Sequence, residues 1–349
     1  MPANPDRDLA FWRDGLPSVG ETHVLVIDPV TRAMAPARRL VERAADVHEV
    51  PGRPTVPEAD AIARKIQATR AGVVIAAGSG VAIDTARLAV YRHWERSGRR
   101  LEIVSVPCGP EPYRAVTPFT MFESPTRPRW REGRSESWLR SREVWVAPEL
   151  LNLVDGAVIA QHAGDSLVHG MESLLSRRSN EVSAHNARRT VTILAEQSER
   201  EKPDRALLVE ASIRAAIAFD TTVLGLAHAF SRPMGICAGT SHDGFNLICG
   251  FPTLEYWGDE VIAGTDLGRG LPVGPRAEDF IQVLDRYRVR AGLPRRVEET
   301  GLTWDDMEFA LTTAPNSTGI PGLPRPFDEE KFRAFARLAW NGDGDARAT

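Results

Sequence analysis

The chain has 349 residues, a hydrophobic fraction of 42% and a net charge of -4. That length can fill more than one core, and the slightly acidic balance excludes a broad basic surface for nucleic acid. The three cysteines, Cys108, Cys237 and Cys249, are scattered, which argues against a disulfide framework or a sulfur metal site and suits a reducing cytoplasm.

Residues 1–14 are polar and charged and lack the apolar core of a signal peptide. No stretch reaches the roughly 18 apolar residues of a membrane span, so we expect a soluble cytoplasmic protein that binds neither membrane nor nucleic acid. Residues 23–27 (HVLVI) make a short apolar run ending at Asp28-Pro29, the pattern of a buried strand and a turn. A helix over 38–45, a strand over 47–50 and a helix over 57–68 follow. Residues 73–76 (VVIA) predict another buried strand, after which Gly78-Ser79-Gly80 opens an apolar helix over 81–91. Residues 101–106 predict a fourth strand, closed by Pro107. Short apolar strands alternating with helices indicate a parallel sheet covered on both faces.

The stretch 120–141 is rich in arginine, contains Pro125, Pro128 and Gly133, and reads as an exposed hairpin or loop. A last strand is expected at 144–146. From about Glu149 strand signals fade. Residues 158–176, 183–197, 206–229, 280–291, 303–311 and 328–338 carry helical patterns, with Pro233 and Gly235 forcing a turn after His228. Asp305 and Asp328 stand near helix starts, where an acid favours the dipole. The expected fold is α/β plus all-α: a Rossmann-like parallel-sheet domain over 1–148, then a helical domain over 149–349.

The strongest chemical signal is Asp165-Ser-Leu-Val-His169. In a helix, a spacing of four puts both side chains on one face. Alone, such a pair is commonly just a hydrogen bond. His228 ends an apolar run, and His242 arrives as a new segment begins. A lone histidine on an apolar face is more often a satisfied core residue than a ligand. Here, however, three of the eight histidines fall with one aspartate in the most apolar helical stretches. Burying such groups is costly unless something pairs them. One divalent ion does so, and both Fe2+ and Zn2+ accept imidazole and carboxylate.

The segments HAGDSLVHGMES and GLAHAFSRPMGICAGTSHDGFN resemble the two metal-binding stretches of the iron-containing (group III) alcohol dehydrogenases, within the dehydroquinate synthase-like superfamily. The family patterns are D-x-x-x-H-x-x-E, G-L-x-H-x-x-x-H-P and P-H-G. Asp165, His169, Glu172, His228, Pro233 and His242 fall on matching positions. The resemblance implies that Asp165, His169, His228 and His242 hold the metal. Dehydroquinate synthases carry Glu for the Asp and lack the His four residues on, so the pair here favours the alcohol dehydrogenase branch. One position departs: Arg232 stands where the family has a second His near the nicotinamide. An arginine cannot shuttle a proton at neutral pH but can hold an anion, which makes Arg232 the candidate catalytic residue and suggests an acidic substrate.

The turn Gly78-Ser79-Gly80 follows a strand and opens a helix, so its backbone can approach phosphate at a helix N-terminus. With Asp84, it resembles the family's G-G-G-S-x-x-D-x-A-K, with Ser79, Val81 and Arg87 as replacements. Asp28 can accept hydrogen bonds from adenosine ribose hydroxyls, which favours NAD over NADP; alternatively, Asp28-Pro29 simply makes a turn. Residues 106–119 resemble the family's cofactor loop at both ends, at Cys108 and Thr117, but not at 112–115, where Arg114 adds a second possible anion contact.

The resemblance spans about residues 23–340. It implies hydride transfer between an alcohol or carbonyl carbon and NAD, assisted by one metal ion, in a chain we expect to be a homodimer. Short, divergent relatives resembling this chain act in daptide-type peptide maturation, which implies an alternative: oxidative decarboxylation of a 3-hydroxy acid such as a C-terminal threonine. A metal- and NAD-dependent lyase or cyclase of the dehydroquinate synthase type, and a non-catalytic binding protein with an eroded cofactor site, are the further readings.

Overall fold

The structure is a computed structural model and describes residues 11–108, 113–127, 131–240 and 242–342. Of the expectations above, those for residues 1–10, 109–112, 128–130, Ser241 and 343–349 lie outside the described residues. The chain divides into two compact units, one ending at Val154 and the other starting at Asp155.

The first unit holds β1 (Trp12–Asp14), β2 (His23–Ile27), β3 (Asp46–Glu49), β4 (Val73–Gly78), β5 (Glu102–Pro107), β6 (Phe119–Glu123), β7 (Arg131–Ser135) and β8 (Glu143–Val146). Its helices are α1 (Pro29–Ala33), α2 (Arg38–Arg43), α3 (Val56–Thr69), α4 (Gly80–Ser97), α5 (Tyr113–Val116) and α6 (Pro148–Leu151). Six strands form one parallel sheet in the order β1-β8-β5-β4-β2-β3. Every residue of β2 and β4 is buried, which is why these strands read as unbroken apolar runs. From β2 the chain winds outward to β3, then returns to β4 on the other side. The carboxyl ends of β2 and β4 therefore flank a topological switch point, where such sheets bind ligands. Register places Ile27 beside Ala77 and Gly78 beside Pro107, so Asp28, Gly78 and Cys108 gather at neighbouring strand ends. The arginine-rich stretch contains the antiparallel hairpin β6–β7.

The second unit is helical and has no strand among its described residues. It comprises α7 (Gly156–Leu175), α8 (Glu181–Ser198), α9 (Arg205–Thr222), α10 (Leu226–Cys237), α11 (Asp243–Ala263), α12 (Ala277–Ala291), α13 (Trp304–Thr313) and α14 (Glu329–Asn341). Asp155, Asn180, Asp204, Thr303 and Asp328 cap the starts of α7, α8, α9, α13 and α14 through side-chain oxygens. Its core draws on Leu167, Phe230, Leu247, Phe280 and Phe335, all fully buried.

Two expectations need correction. The helix expected over 206–229 is two helices, because Val223 takes a positive φ of 57° and breaks the run between α9 and α10. Pro233 does not end the segment either. It lies inside α10, where burial of Leu226, Phe230 and Met234 outweighs the one lost backbone hydrogen bond. Helix α11 has no counterpart in the sequence reading. Gly244, Gly250 and Pro252 disguise it, Gly258 at a φ of 61° kinks it into two helical segments, and its apolar residues run around its circumference because it is a core helix.

Candidate metal centre

Helix α7 carries Asp165, His169 and Glu172 at spacings of four and three, so they share a face; all three are at most 3% exposed. Helix α10 contributes His228 in its first turn, and His242 precedes α11 as its N-cap. Gly235 permits this approach. A Cβ at that position would lie 3.0 Å from the His242 backbone.

Asp165, His228 and His242 each offer a ligand atom within 4.8 Å of the others. His228 Nε2 lies 3.9 Å from Asp165 Oδ1. Its other ring nitrogen, Nδ1, is 2.6 Å from Glu172 Oε2. The Glu172 carboxylate also accepts the N–H groups of Gly225 at 2.8 Å and Ala227 at 2.7 Å, which ties it to the start of α10. Burial pushes the Glu172 carboxyl up to about 7, against these backbone donors and the positive charge of Arg232. Burial and Arg232 together hold His228 well below the usual imidazole range. His228 is thus a neutral ring whose Nδ1 is committed to a carboxylate and whose Nε2 faces Asp165, the tautomer a metal ligand needs.

Asn246 stands at the centre of this group. Its Nδ2 lies 2.6 Å from Asp165 Oδ1 and 2.6 Å from His228 Nε2, and Ser231 Oγ donates to its Oδ1 at 3.1 Å. The lone pairs of a buried carboxylate and a buried imidazole therefore converge on one partly positive amide. A divalent cation meets the same electrostatic demand, and one carboxylate with imidazoles is a donor set that iron and zinc accept. The residues fit such an ion. Sequence reading missed Asn246; its position one helical turn after His242 is the signal that could have found it.

His169 lies outside the converging trio. Its ring stacks on His228 with centroids 4.4 Å apart, and its Nδ1 is 3.5 Å from Asp165 Oδ2. Arg232 follows His228 by one turn of α10, and its side chain is exposed.

The nucleotide candidates belong to the first unit. Asp28 is buried and uses both oxygens on backbone: Oδ1 accepts from Thr31 N at 2.7 Å, and Oδ2 from Ser79 N at 2.6 Å. Gly78 has a φ of 137°, and a Cβ there would sit 2.1 Å from Asp28 Oδ2, so only glycine fits. Ser79 is the N-cap of α4 and Gly80 its first residue. Asp84 is not an isolated acid. It is buried and pairs with Arg114 Nη1 at 2.5 Å, so Arg114 already has a carboxylate partner. Cys108 is buried, with its thiol pushed up by burial, and its N–H donates to Gly78 O at 3.0 Å. Thr117 is buried beside the Arg114 carbonyl. Among the described residues, no helix is long and apolar enough to cross a membrane.

No family model and no curated protein matches the sequence. Solved structures do match it. Maleylacetate reductase from Agrobacterium tumefaciens superposes with a TM-score of 0.76 at 20% identity, covering 93% of this chain and 91% of that one. Sulfoacetaldehyde reductase from Bifidobacterium kashiwanohense, solved with NAD+, gives 0.79 at 17% identity and covers 92% of each chain. The iron-containing alcohol dehydrogenase from Corynebacterium glutamicum gives 0.76 at 18% identity, covering 94% of this chain and 90% of that one. In architecture, therefore, this chain has the fold of the iron-containing alcohol dehydrogenases.

Proposed function

We propose that this chain is a metal-dependent oxidoreductase that moves hydride between an alcohol or carbonyl carbon and NAD. The first unit binds the nucleotide and the second binds one divalent iron or zinc ion. Asp165, His228 and His242 hold the ion, with His169 as fourth ligand. The observation that carries this reading is the approach of a buried carboxylate and two imidazoles to within 4.8 Å of one another. When bound, the ion would supply a Lewis acid for the alcohol oxygen and NAD+ a hydride acceptor, so that alcohol and NAD+ would become carbonyl, NADH and one proton.

The protein's own groups supply position and field. Glu172 keeps His228 in the correct tautomer and orientation. Arg232 binds an acidic group of the substrate; being permanently charged, it holds and does not shuttle. Two relatives in fold are named for reducing acidic compounds, maleylacetate and sulfoacetaldehyde, which supports this substrate class. In the first unit, the Gly78-Ser79-Gly80 turn presents the start of α4 to the pyrophosphate; the Ser79 N–H is held by Asp28, so the donors are the N–H groups of the helix's first turn from Gly80 onward. Asp28 and Cys108 bond to that turn, Asp84 and Thr117 both contact Arg114, and the Asp28 charge disfavours a 2'-phosphate.

The test is elemental analysis of the purified protein, coupled to NADH formation over matched neutral and acidic alcohols. One iron or zinc per chain and NADH from the acidic members are expected. Protein that binds neither metal stoichiometrically nor forms NADH from any alcohol would overturn the reading. NADH that accumulates, in contrast to NAD that is recycled, separates this activity from a lyase or cyclase.

A further inference from the structure

Asn246 lies on α11 one turn after His242, and its backbone N–H donates to the His242 carbonyl at 2.8 Å. It is completely buried, as are Asp165, His228 and Ser231. Chemistry fixes which way its side-chain amide faces. Nδ2 lies 2.6 Å from both Asp165 Oδ1 and His228 Nε2, while Oδ1 accepts from Ser231 Oγ at 3.1 Å. Turned over, the amide would set its oxygen against the Asp165 carboxylate, acceptor to acceptor.

The two hydrogens on Nδ2 therefore go to two different acceptors. His228 Nε2 is the unprotonated nitrogen of its ring, in keeping with Nδ1 facing Glu172. That nitrogen has a single lone pair. It accepts the amide hydrogen or it binds a cation, and it cannot do both. Asp165 Oδ1 has more than one lone pair and is not bound by the same choice. The conflict falls on one bond, from Asn246 Nδ2 to His228 Nε2.

We propose that Asn246 is a built-in competitor for the cation: its amide must leave His228 before His228 can bind an ion, so Asn246 lowers the metal affinity of the centre while steadying the metal-free protein. The proposal rests on the metal reading given above. A bond that must open before a ligand enters subtracts from that ligand's affinity. Removing the amide deprives Asp165 and His228 of this donor, which raises the free energy of the metal-free protein more than that of the loaded protein. The turn of α11 that follows one ligand thus supplies the group that opposes the ion.

The test titrates chelator-stripped protein with Zn2+ against a competing chromophoric chelator, and melts the same proteins without metal. Wild type, Asn246→Ala, Ser231→Ala and His242→Ala are compared. Asn246→Ala should bind Zn2+ about tenfold more tightly, and should melt at a lower temperature without metal. Ser231→Ala, which frees the far end of the amide, should move both readouts in the same directions by smaller amounts. A residue that merely shaped the centre would behave differently, with affinity falling as stability falls. Unchanged or weaker Zn2+ binding in Asn246→Ala overturns the proposal. If Asn246→Ala does not fold, Ser231→Ala decides by the same signs. Wild type that takes up no Zn2+, or His242→Ala that binds as wild type does, removes the metal reading itself and the proposal with it.

Discussion

At Glu172 three donors end on one carboxylate: the N–H groups of Gly225 and Ala227, and Nδ1 of His228. Glu172→Ala would leave all three buried without an acceptor, at a cost on the order of 3 kcal/mol or more. Urea unfolding of metal-free protein should show that loss; an unchanged midpoint would show that the cluster relaxes around the gap. His242→Ala should remove bound metal, while His169→Ala should reduce it less, because His169 lies outside the converging trio. Metal-to-protein ratios after gel filtration check the ranking. Arg232→Ala should raise KM for an acidic alcohol at least tenfold more than for a neutral isostere; equal effects would remove the anion-binding role. At this scale the sequence was informative where spacing within one helix is enough. Asp165 and His169 stand four apart on α7, and their pairing could be read directly. Asn246 could not be read the same way. What it does depends on how closely α7, α10 and α11 approach, and nothing local in the sequence encodes that approach.

Among the elements, α10 shows how packing overrides local preference. Its start is capped by a carboxylate from α7, its interior contains Pro233, and its end lies against His242 at Gly235. The sequence reading joined α9 to α10 because both are apolar; the break is written only in the strained backbone of Val223 and in the reach of Glu172. Helix α11 was missed for the opposite reason, since its glycines and proline imitate a loop. Five of the six strands of the sheet were legible as short runs bounded by turns; β1, three residues in a polar and charged stretch, was not. Gly235→Val should displace His242 and weaken Zn2+ binding markedly, whereas Gly239→Ala, which meets nothing within 4 Å but sits at a positive φ of 67°, should mainly cost stability. Zn2+ titration alongside thermal melts separates the two.

For the molecule as a whole, each unit has its own core, and the candidate ligands are divided cleanly between them. Every proposed metal ligand lies beyond Asp155, and every proposed nucleotide residue lies before Val154. Ligands stabilise only the cooperative unit that binds them, by about 4 kcal/mol at a thousand times Kd. Calorimetry should therefore resolve two transitions: chelation should lower one, and NAD should raise the other. A single transition moved equally by both would mean that the units unfold together.

The bond from Asp28 to Ser79 N has a practical consequence for redesign. Exchanging an acid at this kind of position is the obvious route to altering which dinucleotide an enzyme accepts. Here the same acid also anchors the loop on which the phosphates would rest. Replacing it with a smaller neutral residue would slacken that loop while lifting the charge barrier. A switch of coenzyme in this protein would need a second substitution that re-anchors the freed amide.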